Sequence, residues 1–143
     1  MNILGINAYH GDASACILID NKIIAAVEEE RFTRIKHSAG FPINSISYCL
    51  KEAGLNIDQL DHITINRNPK QKIISKIIYA SFKLFNYNFL KNRINNIKRI
   101  HSIKDELEQK FNTKLKAKIN NIDHHTSHIA SSIYFSGFKN TNF

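Results

Sequence analysis

The sequence predicts an α/β domain built on a mixed sheet of about five strands. Short apolar runs rich in β-branched residues are typical of buried strands, and three of them open the chain. One amphipathic helix separates the third run from a fourth, and further segments of helical period follow. This order, three strands and then alternating helix and strand, favours an α/β architecture.

The first three strands are predicted at residues 3–8, 14–19 and 23–27. Asp20, Asn21 and Lys22 connect the second to the third, and Asp-Asn pairs accept the positive φ angles of a tight hairpin. Tyr9–Ala13, with Gly11 inside it, forms the first turn. We therefore expect an antiparallel meander.

A helix follows the break at Gly40-Phe41-Pro42, with Asn44 or Ser45 as its N-cap and Gly54 just past its end. Its apolar stripe consists of Ile46, Cys49, Leu50 and Ala53. A fourth strand is predicted at residues 62–66 and a fifth at 116–122. Asp123 can cap a last helix that ends at Gly137.

Residues 70–111 have a helical period with basic residues interleaved among the apolar ones. Their apolar stripes can pack on the domain's own sheet, form a lid or subunit contact, or contact a membrane or RNA. We favour the first, and self-association into a homodimer stays open. The order of elements along the chain, three strands, a helix and a strand, resembles the first half of a ribonuclease-H-like domain. This domain is the building block of the actin, Hsp70 and sugar-kinase superfamily.

Length and composition fit one cytoplasmic globular domain. The chain has 143 residues, 43% of them apolar and 22% charged, which excludes disordered and disulfide-framework classes. No apolar run approaches the roughly 18–20 residues of a membrane span, and no signal peptide is recognised. Cys16 and Cys49 are expected to be buried, reduced thiols.

The net charge of +8 is unevenly distributed along the chain, because residues 67–118 hold 14 Lys and Arg against 3 Asp and Glu. Such a segment can bind nucleic acid or an anionic membrane surface, or simply be solvated. We favour the solvated interpretation and expect no nucleic-acid partner.

His124 and His128 are the sharpest candidate site residues. Four residues apart on a helix, they lie about 5–6 Å from each other and can chelate one metal ion, whereas His125 points about 100° away. The alternative is a pair of ordinary surface or core histidines.

The first turn offers His10 as a general base and Asp12 as its orienting partner. The alternative is a plain hairpin turn in which Asp12 and Ser14 bind the backbone. The charged residues of 28–37 (EEERFTRIKH) can form ion pairs across a functional site. The alternative is that they are simply solvent-exposed residues where the third strand ends.

Three segments together resemble the carbamoyltransferase family of nodulation-factor and antibiotic O-carbamoylation enzymes. They are ILGINAYHGDASACILIDNKIIAAVEEERFTRIKH, GFPINSISYCL and IDHHTSHIASSIYFSGF. The transferase domain of that family is similar to the tRNA-threonylcarbamoyladenosine transferase. The resemblance covers residues 3–66 and 119–138 well, and 67–118 weakly.

The resemblance implies a two-step reaction. A YrdC-like domain makes carbamoyl adenylate from carbamoyl phosphate and ATP, and the domain seen here passes the carbamoyl group to an acceptor hydroxyl of a sugar, an aminoglycoside-like compound or another metabolite. His124 and His128 match the family's metal ligands, with iron as the expected ion, and His10 matches its base. In this sequence Gly11 stands between His10 and Asp12, whereas in many members of the family the Asp follows the His directly. Lys36 and His37 match a motif expected to contact phosphate or carbamoyl.

In relatives, a strand with an Asp-Gly motif follows the metal helix and completes the metal site, and a second half-domain and the YrdC-like domain come after it. These parts lie outside this chain, so we interpret the 143 residues as a partial N-terminal domain and predict no complete activity for them alone. A kinase of the same superfold, a basic binding module and a truncated remnant without function are the rival interpretations.

Overall fold

The computed structural model describes residues 1–66 and 103–137. The strands are β1 (Asn2–Asn7), β2 (Ser14–Ile19), β3 (Lys22–Glu28), β4 (His62–Ile65) and β5 (Lys118–Asn121). The helices are α1 (Glu30–Thr33), α2 (Ile43–Ala53), α3 (Ile103–Phe111) and α4 (His124–Phe135), with a 3₁₀ turn at Ile57–Gln59.

Within the described residues the strands form one mixed sheet in the order β3-β2-β1-β4-β5. The β1–β2 and β2–β3 pairs are antiparallel, whereas β4 is parallel to both β1 and β5. This order and these directions confirm the predicted α/β class with a mixed sheet of five strands. The parallel β1–β4 pair puts the carboxyl ends of both strands at one edge of the sheet.

The predicted meander is confirmed. Asp20 and Asn21, at φ angles of 47° and 65°, form the tight connection between β2 and β3. These values lie in the left-handed region that Asp and Asn tolerate better than other non-glycine residues. The observed strands agree with the predicted ones to within one or two residues at each end.

The predicted N-cap of α2 is wrong. The helix begins at Ile43, and the side chains of Asn44 and Ser45 do not cap it. Instead, the buried carboxylate of Glu29 accepts hydrogen bonds from the backbone N–H groups of both residues, at 3.2 and 2.8 Å. A carboxylate from elsewhere in the chain thus satisfies two of the N–H groups that every helix start leaves open. The other end is as predicted, with Gly54 at φ 63°.

The core lies on the sheet face against which α2 and α3 pack. Every second residue of β1, β2 and β4 points into it, as the strand period requires. Its fully buried side chains include Leu4, Ile17, Ile46, Ile63, Ile103 and Leu107. Leu107 and the partly buried Phe111 pack here, so this end of the predicted segment 70–111 packs on the domain's own sheet. The remainder of that segment, residues 70–102, lies outside the described residues.

Both cysteines are free thiols. Cys49 lies in the core, where burial raises the pKa of its thiol to about 11. Among the helices that the structure describes, none has the length and apolar character needed to cross a membrane.

Candidate active site

The turn between β1 and β2 carries His10 and is shaped by the side chain of Asn7. The amide nitrogen of Asn7 donates to the carbonyl oxygens of Gly11, at 3.1 Å, and of Asp12, at 2.8 Å. Asp12 has a φ of 62°, which these contacts help to hold. The turn is therefore fixed by the last residue of the strand that precedes it.

The loop before α2 holds the same turn from the other side. The backbone N–H of Tyr9 donates to the carbonyl oxygen of Gly40 at 3.1 Å, and that of Ala13 donates to Ser38 at 2.8 Å. The Tyr9 hydroxyl donates to Glu106 on α3. Tyr9, at φ 55°, thus anchors the turn to the core-side helix, while the adjacent His10 is exposed.

The start of α4 brings His124 and His128 together. Asp123 is the N-cap, as predicted, and its carboxylate accepts from the backbone N–H groups of His125 and Thr126. One turn of helix separates the two histidines, and their Nε2 atoms lie 3.1 Å apart. Two ligands of one ion, each about 2.1 Å from it and roughly at right angles, have a similar separation. The pair therefore fits two positions of a metal's coordination shell.

His10 reaches this pair from the first turn. Its ring centroid lies 5.1 Å from that of His124, which in turn lies 4.5 Å from that of His128. Burial, together with the nearby His128, His10 and His125, lowers the pKa of His124. A lowered pKa keeps this imidazole neutral, which is the form that binds metal ions.

The histidine pair has no third protein ligand in the part of the chain that the structure describes. No group of three or more His, Cys, Asp or Glu side chains there is arranged to hold a metal ion. Any further ligands have to come from outside the described residues, from solvent or from a bound substrate.

Asp12 contacts a different histidine from the one expected. Its Oδ1 lies 2.8 Å from Nδ1 of His37, whereas Nδ1 of His10 lies 3.4 Å from the carbonyl oxygen of Gly11. The hydrogen bond and the charge of Asp12 raise the pKa of His37, with smaller contributions from Glu30 and Glu28. Lys36, next to His37, is exposed. Asp12 therefore orients the histidine of the 28–37 segment.

Sequence reasoning missed two features of this region, the contact of Asp12 with His37 and the role of Glu29. Glu29 is one of three consecutive glutamates, and spacing alone does not distinguish it from Glu28 or Glu30. It is 3% exposed and joins the start of the 28–37 segment to α2. If the alternation of side chains in β3 continued for one more residue, it would place Glu29 on the buried side. The strand ends at Glu28, so the alternation does not predict this burial.

Comparison with known proteins concerns the chain as a whole. The sequence profile described as "Carbamoyltransferase N-terminus" matches residues 2–142. The nodulation protein NolNO of Sinorhizobium fredii is 31% identical over 140 residues, which is 93% of this chain and 19% of that protein. An uncharacterized protein of Synechocystis sp. is 50% identical over 68 residues, 48% of this chain and 11% of that protein.

This chain therefore spans only about a tenth to a fifth of the length of these two relatives. Among solved structures, YeaZ from Pseudomonas aeruginosa aligns with 95% of this chain and 50% of its own, at a TM-score of 0.49 and 10% identity.

Proposed function

The chain belongs to the carbamoyltransferase family, and from this premise we propose that the intact protein is an ATP-dependent O-carbamoyltransferase. In this proposal, carbamoyl phosphate and ATP are converted to carbamoyl adenylate by a YrdC-like domain outside the chain. The residues described here then serve the second step, the transfer of the carbamoyl group to a hydroxyl of a small-molecule acceptor.

The transfer is an acyl substitution. The acceptor oxygen attacks the carbamoyl carbon and forms a new C–O bond, the bond from that carbon to the adenylate phosphate oxygen breaks, and AMP leaves. The hydroxyl proton must go to a base. His10 is the proposed base, because it is exposed, lies beside the histidine pair and carries an imidazole, the group that most often serves as a general base.

His124 and His128 are the residues that would hold a divalent metal ion, with Fe(II) the expected one. Such an ion would supply a Lewis acid that polarises the carbamoyl carbonyl or holds nucleotide phosphates. The observation that carries the proposal is the meeting of these two side chains with His10, from elements more than 100 residues apart in sequence.

Lys36 and His37 are the proposed contacts to the phosphate or carbamoyl group. Both are exposed at the end of the 28–37 segment. The raised pKa of His37 favours the imidazolium form, which attracts an anion. Asp12 would then position this cation and would have no direct role in the proton transfer.

Anaerobic titration of the intact protein, which supplies the remaining ligands, with Fe(II) tests the metal site. We expect uptake by the wild type, weaker uptake by His128→Ala, and uptake near that of the wild type by the matched control His125→Ala, which removes a neighbouring histidine outside the pair. Equal uptake by all three, or none by any, would contradict the assignment.

A turnover assay tests the division of labour between this chain and the rest of the protein. With carbamoyl phosphate, ATP and a hydroxylated acceptor, we expect no carbamoylated product from the 143-residue chain alone. Product formed by this chain would overturn the proposal that the activity needs further domains.

A further inference from the structure

The turn that carries His10 is anchored on both sides of this residue. Before it, the backbone N–H of Tyr9 donates to the loop that precedes α2, at 3.1 Å. After it, the carbonyl oxygens of Gly11 and Asp12 accept hydrogen bonds from the side-chain amide of Asn7, at 3.1 and 2.8 Å. His10 is therefore held in place through its neighbours in the chain.

The ring of His10 depends on these anchors for its position. Its Nδ1 lies 3.4 Å from the carbonyl oxygen of Gly11, longer than the roughly 2.7–3.2 Å of an ordinary N–H···O hydrogen bond. Its contact with the ring of His124 is a tilted one, with the two centroids 5.1 Å apart and the planes at 41°. Because neither contact fixes the ring, the backbone of the turn decides whether His10 lies beside the histidine pair.

Asn7 lies where this turn approaches the helix that carries the histidine pair. It is the last residue of β1 and stands opposite Ser14 in the sheet. Asn7, Ser14 and Ser127 of α4 line the same cavity, and Ser127 comes between His124 and His128 in sequence. The amide of Asn7 therefore joins the end of a core strand to the turn at the point where α4 comes close.

Only a hydrogen-bond donor can hold the turn from this position. Both partners of Asn7 Nδ2 are carbonyl oxygens, which accept hydrogen bonds and do not donate them. Nδ2 consequently faces the turn, and the buried Oδ1 has no hydrogen-bond partner among the residues that the structure describes. A buried acceptor without a donor lowers stability. An apolar side chain of the same shape would avoid this loss but would release the turn.

We propose that Asn7 is a positioning residue that holds His10 beside His124 and His128 through its two hydrogen bonds to the turn. Its importance for carbamoyl transfer rests on the proposed function, in which His10 is the base. The placement of His10 does not, because it depends only on the geometry of the turn. Misplacing a reacting group by about 1 Å can slow a reaction about 10²-fold.

Asn7→Leu in the intact protein tests this role, because Leu has nearly the same shape as Asn and no donor. With carbamoyl phosphate, ATP and glycerol as the acceptor probe, we expect the kcat for AMP release to fall about 10²-fold. AMP leaves whether glycerol or water attacks, so its release reports the transfer in either case.

The melting temperature of Asn7→Leu should stay near that of the wild type. The substitution removes the unpaired acceptor together with the two hydrogen bonds, and Asp12, whose carbonyl loses its donor, is exposed to water. A residue with a structural role alone would lose stability and activity together. That result, or an unchanged kcat, would overturn the inference.

Asn2→Leu is the matched control. Asn2 lies at the opposite end of β1, and its Nδ2 also donates to a backbone carbonyl oxygen, that of Gln59 at 2.9 Å. The control makes the same substitution in the same strand and should keep the kcat of the wild type. An equal fall of kcat in Asn2→Leu and Asn7→Leu would overturn the inference.

A double-mutant cycle with His10→Ala shows whether Asn7 acts through His10. Two residues that act as a unit have non-additive effects on the rate. In the His10→Ala background, Asn7→Leu should therefore cause no further fall in kcat. A further fall of about 10²-fold there would mean that Asn7 acts through another group, and would overturn the inference.

Crystal structures of the intact protein and of Asn7→Leu keep this outcome separate from that of the proposed function. The rings of His10 and His124 should be in contact in the wild type and apart in the variant. A fully active His10→Ala would remove the base role of His10, whereas a displaced ring would still support its placement by Asn7. A His10 ring that stays beside His124 in Asn7→Leu would overturn the inference, whatever the activity.

Discussion

The carboxylate of Glu29 accepts two hydrogen bonds from Ser45, one from its backbone N–H at 2.8 Å and one from its hydroxyl at 2.7 Å. Asn44 donates two more, from its backbone and its side chain, to the other carboxylate oxygen. This one buried side chain therefore joins the start of the 28–37 segment, which carries Lys36 and His37, to the start of α2.

Replacing Glu29 by Gln should destabilise the domain. The amide retains one acceptor oxygen, but its NH₂ group faces donors, so at least one N–H or O–H loses its partner. A buried donor left without an acceptor costs about 1–3 kcal/mol. Urea unfolding measures the loss, and Glu52→Gln, at an exposed glutamate on α2, is the control with little expected change. Equal stability of the two variants would contradict the capping role.

The same residue should make stability depend on pH. Burial raises the pKa of Glu29, but the hydrogen bonds from Ser45 and Asn44 outweigh it, and the net effect lowers the pKa. A carboxyl whose folded pKa is lowered stabilises the fold above its unfolded pKa of about 4.3, and this contribution is lost as the pH falls through the folded value. The stability difference between wild type and Glu29→Gln should therefore shrink as the pH falls from about 5 through the unfolded pKa and then through the lower folded one. A constant difference in urea unfolding over that range would count against it.

Asp12→Asn should lower the pKa of His37. The wild-type carboxylate raises this pKa by a hydrogen bond and by its charge. Glu30 and Glu28 still raise it in the variant, so the pKa of His37 should fall only part of the way to its ordinary value. Any stabilisation from the pair is present below the unfolded pKa of about 6.5 and is lost as the pH rises through the raised folded value. NMR titration of the His37 ring protons measures the change.

The control is Asp20→Asn, which removes an aspartate that binds the N-terminal amine at the far end of β2. It should leave the titration of His37 as in the wild type. The same His37 pKa in Asp12→Asn and wild type would mean that the two side chains do not pair in solution.

Gly5→Ala should destabilise the sheet through a steric conflict with Cys16. The added Cβ would lie 2.7 Å from the sulfur, closer than real Cβ contacts allow. Overpacking of this kind costs about 1–3 kcal/mol. Adding Cys16→Ala should recover part of the loss, so a double-mutant cycle should yield a favourable coupling.

Gly40→Ala is the control for this cycle, because a Cβ at Gly40 meets nothing within 4 Å. Its unfolding midpoint in urea should lie close to that of the wild type. Additive effects of Gly5→Ala and Cys16→Ala would show that the sulfur is not the group in conflict.

The sequence by itself determined most of the elements and several local contacts. Strand period, the Asp20-Asn21 connection, the Asp123 cap and Gly54 are local signals, because each depends on residues within a few positions of one another. The i, i+4 spacing of His124 and His128 is local in the same sense. These features were predictable, and the family resemblance was carried by the segments that contain most of them.

Only the tertiary structure decided which residues far apart in the sequence contact each other. Glu29 caps α2 from another segment, Asp12 pairs with His37, and His10 meets His124 across more than 100 residues. None of these has a periodic signature, because each depends on how the strands align and on where the turns after β1 and β3 come to lie. The row of Gly5, Cys16, Ala26 and Thr64 has the same origin, since one residue from each of four strands is brought level only by the register of the sheet.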